Sequence, residues 1–287
     1  MKTNRIFLLL PFVLMTVLST SCVKDSVEAP PTLEQLVETS VTYGPDDRQR
    51  MTVALPEGRD TETPIVILIH GGAWISGNKE DLSGLQQFLL ENQIGSVSIN
   101  YRFASDNHHF EGLMEDVGLA VASVNARARD WGIRTDGYQL LGVSAGAHMA
   151  LLYAYHFGQN TGINSVISAA GPTAFPDEFL GAAAVSPLRA PIEAMVGAPL
   201  EMPYSPRFSA ASPLTYADDA VPTLLIHGTA DTTVPYALST TLASMLQNRG
   251  KTVQLITLTG AGHDFLGDPA AAVQALNSVL TWIKTHG

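Results

Sequence analysis

One cysteine, Cys22, is all that the chain of 287 residues contains. A lone thiol cannot close an intrachain disulfide, so packing and hydrogen bonds must hold the fold, and Cys22 needs an explanation of its own. Positive charge is also scarce: 16 Lys and Arg stand against 27 Asp and Glu, a formal net charge of -11. A phosphate backbone would be repelled by that field, which argues against a nucleic-acid partner and leaves a small neutral one open. The first apolar run falls short of the roughly 18 residues that a spanning helix needs. The adjacent His108 and His109 lack a carboxylate or cysteine at ligand spacing, so no metal and no cofactor is expected. What is abundant is apolar: 46% of the residues are hydrophobic and only 15% charged, the balance of a well-buried globular domain.

The N-terminus follows its own logic. Lys2 and Arg5 precede the apolar run from Ile6 to Met15, interrupted by Pro11, and small residues Ser19, Thr20 and Ser21 lead to Cys22. A basic start, a short apolar core and a small-residue end are the pattern of a secretory signal. The segment "VLSTSC" resembles a bacterial lipoprotein signal, although Ser19 rather than Leu stands three places before the cysteine. The resemblance implies that Cys22 is lipidated and becomes the mature N-terminus. The following "VKDSVE" resembles the short tract behind the cysteine of surface-exported lipoproteins of the Bacteroidetes type. Residues 1–21 are therefore expected to be a signal peptide, 22–34 a tether and 35–287 the folded domain. The expected location is the bacterial cell envelope, with the outer membrane as its site and the acyl anchor as the only membrane contact.

Behind Pro30 and Pro31 the chain alternates strands with amphipathic helices, without internal repeats. "TSVTYG" and "QRMTVALP" read as an antiparallel pair around a Gly44–Asp47 turn. "PIVILIH" is a continuous apolar strand of the kind buried on both faces. "FEGLMEDVGLAVASVNARARDWGI" puts Leu113, Val117, Ala120, Val121 and Val124 on one helix face. Repeated strand-helix units on this scale imply an α/β fold with a mostly parallel, doubly wound sheet. Residues 171–213 break the rhythm: rich in Pro, Ala and Ser, they offer no strand and only fragments of helix. A connection this long is expected to form a short cap over a site.

The chemistry starts at "LLGVSAGAHMALL". Gly142-Val143-Ser144-Ala145-Gly146, read strand-turn-helix, is a nucleophile elbow: Ser144 sits on a strained turn that lifts its hydroxyl above the sheet edge, and the glycines let strand and helix approach. The serine needs a base, and on such a fold the acid and then the histidine should follow in the chain. "PTLLIHGTADTTVP" offers Asp231 and "LITLTGAGHDF" offers His263, both at strand C-terminal ends. Asp264 and Asp268 are rival carboxylates, but as loop neighbours of His263 they are badly placed to orient its ring. His148, four residues beyond Ser144, and His227, on the strand before Asp231, read as packing residues. A developing oxyanion needs donors aimed at it in advance. The N–H of Ala145 and those of the "HGGAW" loop, Gly71 and Gly72, are the candidates, with His70 tying the loop down. Trp74 either lines a substrate pocket or packs under that loop.

With "HGGAWISGNKED", "INYRFA", "FEGLMEDVGLAVASVNARARDWGI", "GVSAGAH", "IHGTADTTVP" and "GAGHDF" in this order, the chain from about Val41 onward resembles the α/β-hydrolase superfamily. More narrowly, it is similar to carboxylesterases of the hormone-sensitive-lipase-like and bacterial feruloyl or acetyl-xylan esterase type. The resemblance implies a serine esterase acting through an acyl-enzyme, with Ser144, Asp231 and His263 as triad and Gly71, Gly72 and Ala145 as oxyanion donors. The implied substrate is a small-molecule or polysaccharide-linked ester. Two departures stand out: Ala73 replaces the third glycine of many relatives, and their large N-terminal cap is missing. Kynurenine formamidases share the HGG-x-W pattern, so an aryl formamidase, amidase or peptidase remains an alternative, as does a non-catalytic surface binding lipoprotein.

Overall fold

Ile65–Ile69 (β3) and Gly95–Ile99 (β4) are buried at every residue; the unbroken apolar character of β3 demands this of a strand covered on both faces, and β4 buries Ser96 and Ser98 among its apolar residues. In the computed structural model, which describes residues 32–287, they lie inside an eight-stranded sheet of order β1-β2-β4-β3-β5-β6-β7-β8. The other strands are β1 (Leu36–Thr42), β2 (Arg50–Leu55), β5 (Tyr138–Val143), β6 (Ile163–Ala169), β7 (Thr223–Gly228) and β8 (Val253–Leu258). Pairings from β4 through β8 are parallel, whereas β1–β2 and β2–β4 are antiparallel. The architecture is thus the mostly parallel, helix-flanked sheet expected from the alternation of elements. The expected signal segment and Cys22 lie outside the described residues. Leu33 already accepts a 2.8 Å hydrogen bond from the Gly58 N–H, so the chain is tied to the domain just ahead of the 34/35 boundary drawn from the sequence.

Alternation along β3 divides the interior in two. Ile65, Ile67 and Ile69 join the larger apolar cluster, together with Leu113 of α2 (Phe110–Trp131), Met149 of α3 (Ala145–Leu152) and Leu238 of α7 (Tyr236–Asn248). Val66 and Leu68 face the other side, with Leu89 of α1 (Ser83–Glu91) and Trp282 of α8 (Pro269–His286). A period of two therefore feeds one strand into both layers. The 171–213 segment contains three short helices, α4 (Asp177–Ala183), α5 (Arg189–Val196) and α6 (Arg207–Ala210), and its Phe179 and Ile192 are buried in the larger cluster. Among the described residues no helix is long and apolar enough to cross a membrane.

Sheet order places the site. From β3 the chain crosses to β4 on one side and then to β5 on the other, so the loops leaving β3 and β5 diverge from neighbouring strand ends. Such a switch point leaves a crevice at the carboxyl edge of a parallel sheet. A buried charge cluster braces this half: Asp116 of α2, fully buried, accepts from Gln49 Nε2 at 2.7 Å, the Arg102 backbone N–H at 2.7 Å and Arg102 Nη2 at 2.6 Å. With both oxygens occupied by donors, the carboxylate is satisfied despite its burial.

Candidate active site

Ser144 occupies the turn between β5 and α3 with φ +54° and ψ -120°. A non-glycine residue there stores strain of about 1–3 kcal/mol. The turn is fixed by a 2.8 Å bond from the Ser144 N–H to Ala169 O and by the Ala147 and His148 N–H groups donating to Ser144 O. The flanking glycines are required by contact. A Cβ on Gly142 would stand 2.1 Å from Gly146 O, and one on Gly146 would stand 2.2 Å from Ile69 O. Gly146→Ala is accordingly expected to push α3 off β3, lowering stability by about 1–3 kcal/mol. At about 2–4 °C per kcal/mol for a domain of this size, thermal unfolding would show the loss, and an unchanged Tm would refute the contact.

The three residues chosen for a triad come together from three loops. His263 Nε2 lies 2.9 Å from Ser144 Oγ, and His263 Nδ1 lies 2.7 Å from Asp231 Oδ2. An ionised carboxylate only accepts, so the proton of the neutral imidazole sits on Nδ1, and Nε2 is left to accept from the Ser144 hydroxyl. Asp231 is itself held by further donors: the Thr233 and Val234 N–H groups, each 2.8 Å from Oδ1, and His227 Nε2, 3.1 Å from Oδ2. Burial alone would raise the Asp231 pKa, but the hydrogen bonds from His227, His263 and the Val234 N–H outweigh it and hold the carboxyl below its usual range. Asp264 makes no bond to the His263 ring, and Asp268 caps α8, accepting from the Ala270 and Ala271 N–H groups.

His227 is more than the packing residue expected from the sequence. Its Nε2 also lies 2.9 Å from Val234 O, an acceptor only, which fixes the proton on Nε2 and aims it at both Val234 O and Asp231. Its Nδ1 then accepts from the Ser239 hydroxyl at 2.7 Å. The available signal was its position four residues before Asp231, across the turn that ends β7.

The HGGAW loop bends through three successive left-handed residues: Gly72 (φ +109°), Ala73 (φ +49°) and Trp74 (φ +63°). Ala73 therefore takes, at a cost in strain, a conformation that glycine would adopt freely. Gly71 lies against the elbow, where an added Cβ would be 3.3 Å from Ser144 Cβ. The Gly71 and Gly72 N–H groups donate to no backbone acceptor among the described residues. His70, fully buried, stacks on Tyr101 with ring centroids 4.4 Å apart. Its Nδ1–H donates to Gly71 O at 2.6 Å, and burial pushes its pKa down to about 4. A neutral ring already committed to the loop has no proton-transfer duty at Ser144. Trp74 does both things considered for it: 3% exposed, its Nε1–H donates to His148 Nδ1 at 3.1 Å, and it also lines the cavity above Ser144. His148, buried and lowered to about 4 by desolvation, donates from Nε2 to Ala211 O at 2.7 Å. That bond joins the elbow helix to the end of the cap segment. His109 donates to Ala194 O at 2.8 Å, likewise a tie to the cap.

Gly71, Gly72, Trp74, Ser144, Ala145 and His263 open on one cavity of about 710 Å³, walled on the cap side by Pro172, Phe179, Leu188 and Ile192. A strained serine with a hydrogen-bonded base and an oriented acid can attack an electrophilic carbon. The loop beside it lines the same cavity with Gly71 and Gly72, whose N–H groups have no backbone acceptor among the described residues, as an oxyanion site would require.

Fold and site together have the α/β-hydrolase architecture, with a Ser–His–Asp arrangement at the carboxyl edge of its sheet. The chain belongs to the BD-FAE family, whose model matches residues 51–246. Its relatives include Esterase LipQ of Mycobacterium tuberculosis, 29% identical over 83% of this chain and 59% of that protein. Another is the probable isoprenylcysteine alpha-carbonyl methylesterase ICMEL1 of Arabidopsis thaliana, 28% identical over 81% of this chain and 52% of that protein. The chain thus spans little more than half the length of these curated relatives. Among solved structures, a truncated carbohydrate esterase from gut microbiota superposes with a TM-score of 0.73 at 21% identity, covering 88% of this chain and 96% of that one.

Proposed function

We propose that this protein hydrolyses carboxylic esters through an acyl-enzyme. The observation that carries the reading is the continuous relay from Ser144 through His263 to Asp231, at 2.9 Å and 2.7 Å, opening on the same cavity as Gly71, Gly72 and Ala145. Relatives that bear esterase names support it. Ser144 Oγ attacks the ester carbonyl while His263 Nε2 takes its proton; Asp231 stabilises the imidazolium. The developing oxyanion meets the N–H groups of Gly71, Gly72 and Ala145. Collapse breaks the bond to the alkoxy oxygen, and His263 returns the proton to the departing alcohol. Water, deprotonated by the same histidine, then releases the acid and restores Ser144.

The polymer-linked acetyl or feruloyl esters of plant polysaccharide are proposed as the natural setting, on the strength of the exported, tethered chain read from residues 1–34. The test is a panel of p-nitrophenyl acetate, butyrate and octanoate, methyl ferulate, acetylated xylan and N-formylkynurenine. Turnover of esters is the expected outcome; activity on the formamide alone would move the reaction to a formamidase, and activity on none would end the enzyme reading. For the anchor, Cys22→Ser is expected to shift the protein from the membrane fraction to the soluble one, and unchanged partitioning would overturn lipidation.

A further inference from the structure

The sheet face that carries Leu141, Ile167 and Ile226 is incompletely filled where α1 and α8 flank it. A cavity of about 300 Å³ lies there, with Leu85 and Phe88 of α1 on one wall and Ala275 and Val279 of α8 on the other. Among its lining side chains only Asp81 is polar. It adjoins the catalytic cavity directly, because Asp81, Leu82, Val143 and Leu266 line both. Val143 is the residue before Ser144, and it points to the same sheet face as Leu141. Protein interiors are otherwise packed to crystal density. An apolar space of ligand size beginning one residue from the nucleophile therefore suits an apolar group carried by the substrate.

We propose that this cavity holds the acyl chain of the substrate, an aliphatic chain longer than acetyl. The proposal rests on the ester-hydrolase reading above. Acyl and alcohol sides are separated by what each must do. The alcohol has to leave and be replaced by water before deacylation, which suits the open cap side. The acyl group stays attached to Ser144 through both steps, which suits the smaller apolar groove between α1 and α8, whose lining reaches Val143 beside the nucleophile. A polysaccharide alcohol is far too large for it. An acetyl group leaves it empty, and apart from Asp81, which lines both cavities, it offers no side-chain partner for the phenolic hydroxyl of a feruloyl group, so the aliphatic acyl group inferred here stands in place of the acetyl and feruloyl groups named for the natural setting above.

Gly84 supplies the test. It lies in the first turn of α1 and lines this cavity but not the catalytic one. A Cβ added there meets nothing within 4 Å. Replacing glycine also favours a helix, and Gly84 is exposed at the rim of the groove, so Gly84→Ala, Gly84→Leu and Gly84→Trp should fold and cover the groove progressively. Each methylene that enters should raise kcat/KM roughly three- to four-fold. The full chain, in detergent, is therefore expected to prefer p-nitrophenyl octanoate to acetate by roughly tenfold or more. That ratio should fall by about the same factor along the series, while the ratio of octyl acetate to ethyl acetate stays level. A ratio of octanoate to acetate that does not move overturns the proposal, as does a change confined to octyl acetate. A methyl ferulate rate that falls in step with octanoate would replace the aliphatic chain by an aryl one. If the wild-type chain cleaves no ester in the panel, the ester-hydrolase reading fails instead.

Discussion

Replacing Ser144 by alanine is expected to lower kcat on every ester by about 10⁴–10⁶-fold, while leaving the thermal midpoint within a degree or two of the parent. Both halves follow from the elbow. On the proposed mechanism the loss is large because the serine forms the covalent bond, with His263 and Asp231 acting only through it. What remains is what the oxyanion donors and binding give to water attack, since catalytic residues of this kind work as a unit. The fold is spared because the elbow is held by backbone bonds from the Ser144 N–H and to Ser144 O, which alanine keeps. Alanine also carries the same Cβ into φ +54°, so the stored strain is unchanged. Esterase assays with parent and variant at matched concentration check the first half, and calorimetry the second. Equal activity in the two would mean that the relay of Ser144, His263 and Asp231 is not used.

Much of this site was legible in the sequence because its chemistry is carried by short segments at strand ends. The elbow announces itself through Gly142 and Gly146, since only glycine tolerates the 2.1 Å and 2.2 Å approaches at those positions. The order of Asp231 and His263 follows from which strands end above the crevice. Three features were less legible. His227 reads as an ordinary strand residue, because its link to Asp231 depends on a turn that folds four residues back on themselves. The left-handed Ala73 and Trp74 carry no local signal, since neither residue type favours that conformation; the surrounding loop imposes it. The space between α1 and α8 depends on distances between elements far apart in the chain, and hydrophobic periodicity reports that a face is buried without reporting that it is incompletely filled. The fragment "INYRFA" and the long helix after it, by contrast, gain a physical reason: Arg102 and Asp116 form the buried bond network that fixes α2 beside the sheet.

Asp231→Asn is the second large effect, expected to reduce kcat by about 10⁴-fold through the wrong tautomer. The argument turns on the donors around the carboxylate. Oδ1 faces the Thr233 and Val234 N–H groups at 2.8 Å each, and neither can be turned around. The asparagine must keep its oxygen there, which puts the amide NH₂ on the side now occupied by Oδ2. That side faces His263 Nδ1 at 2.7 Å and His227 Nε2 at 3.1 Å. Two donors would then meet unless a proton moves. His227 cannot move its own, because Nε2–H is also spent on Val234 O and Nδ1 accepts from Ser239. His263 can, by shifting its proton from Nδ1 to Nε2 and accepting from the amide. Once protonated, Nε2 no longer accepts from Ser144, and the nucleophile loses its base. The variant should therefore fold, bind substrate and fail at the chemical step: kcat falls while KM changes little. Nitrogen NMR of the His263 ring separates this account from simple loss of charge, with the proton expected on Nδ1 in the parent and on Nε2 in the variant. A proton found on Nδ1 in both, or a loss of activity below about tenfold, would show that Asp231 does not set the tautomer through which this site works.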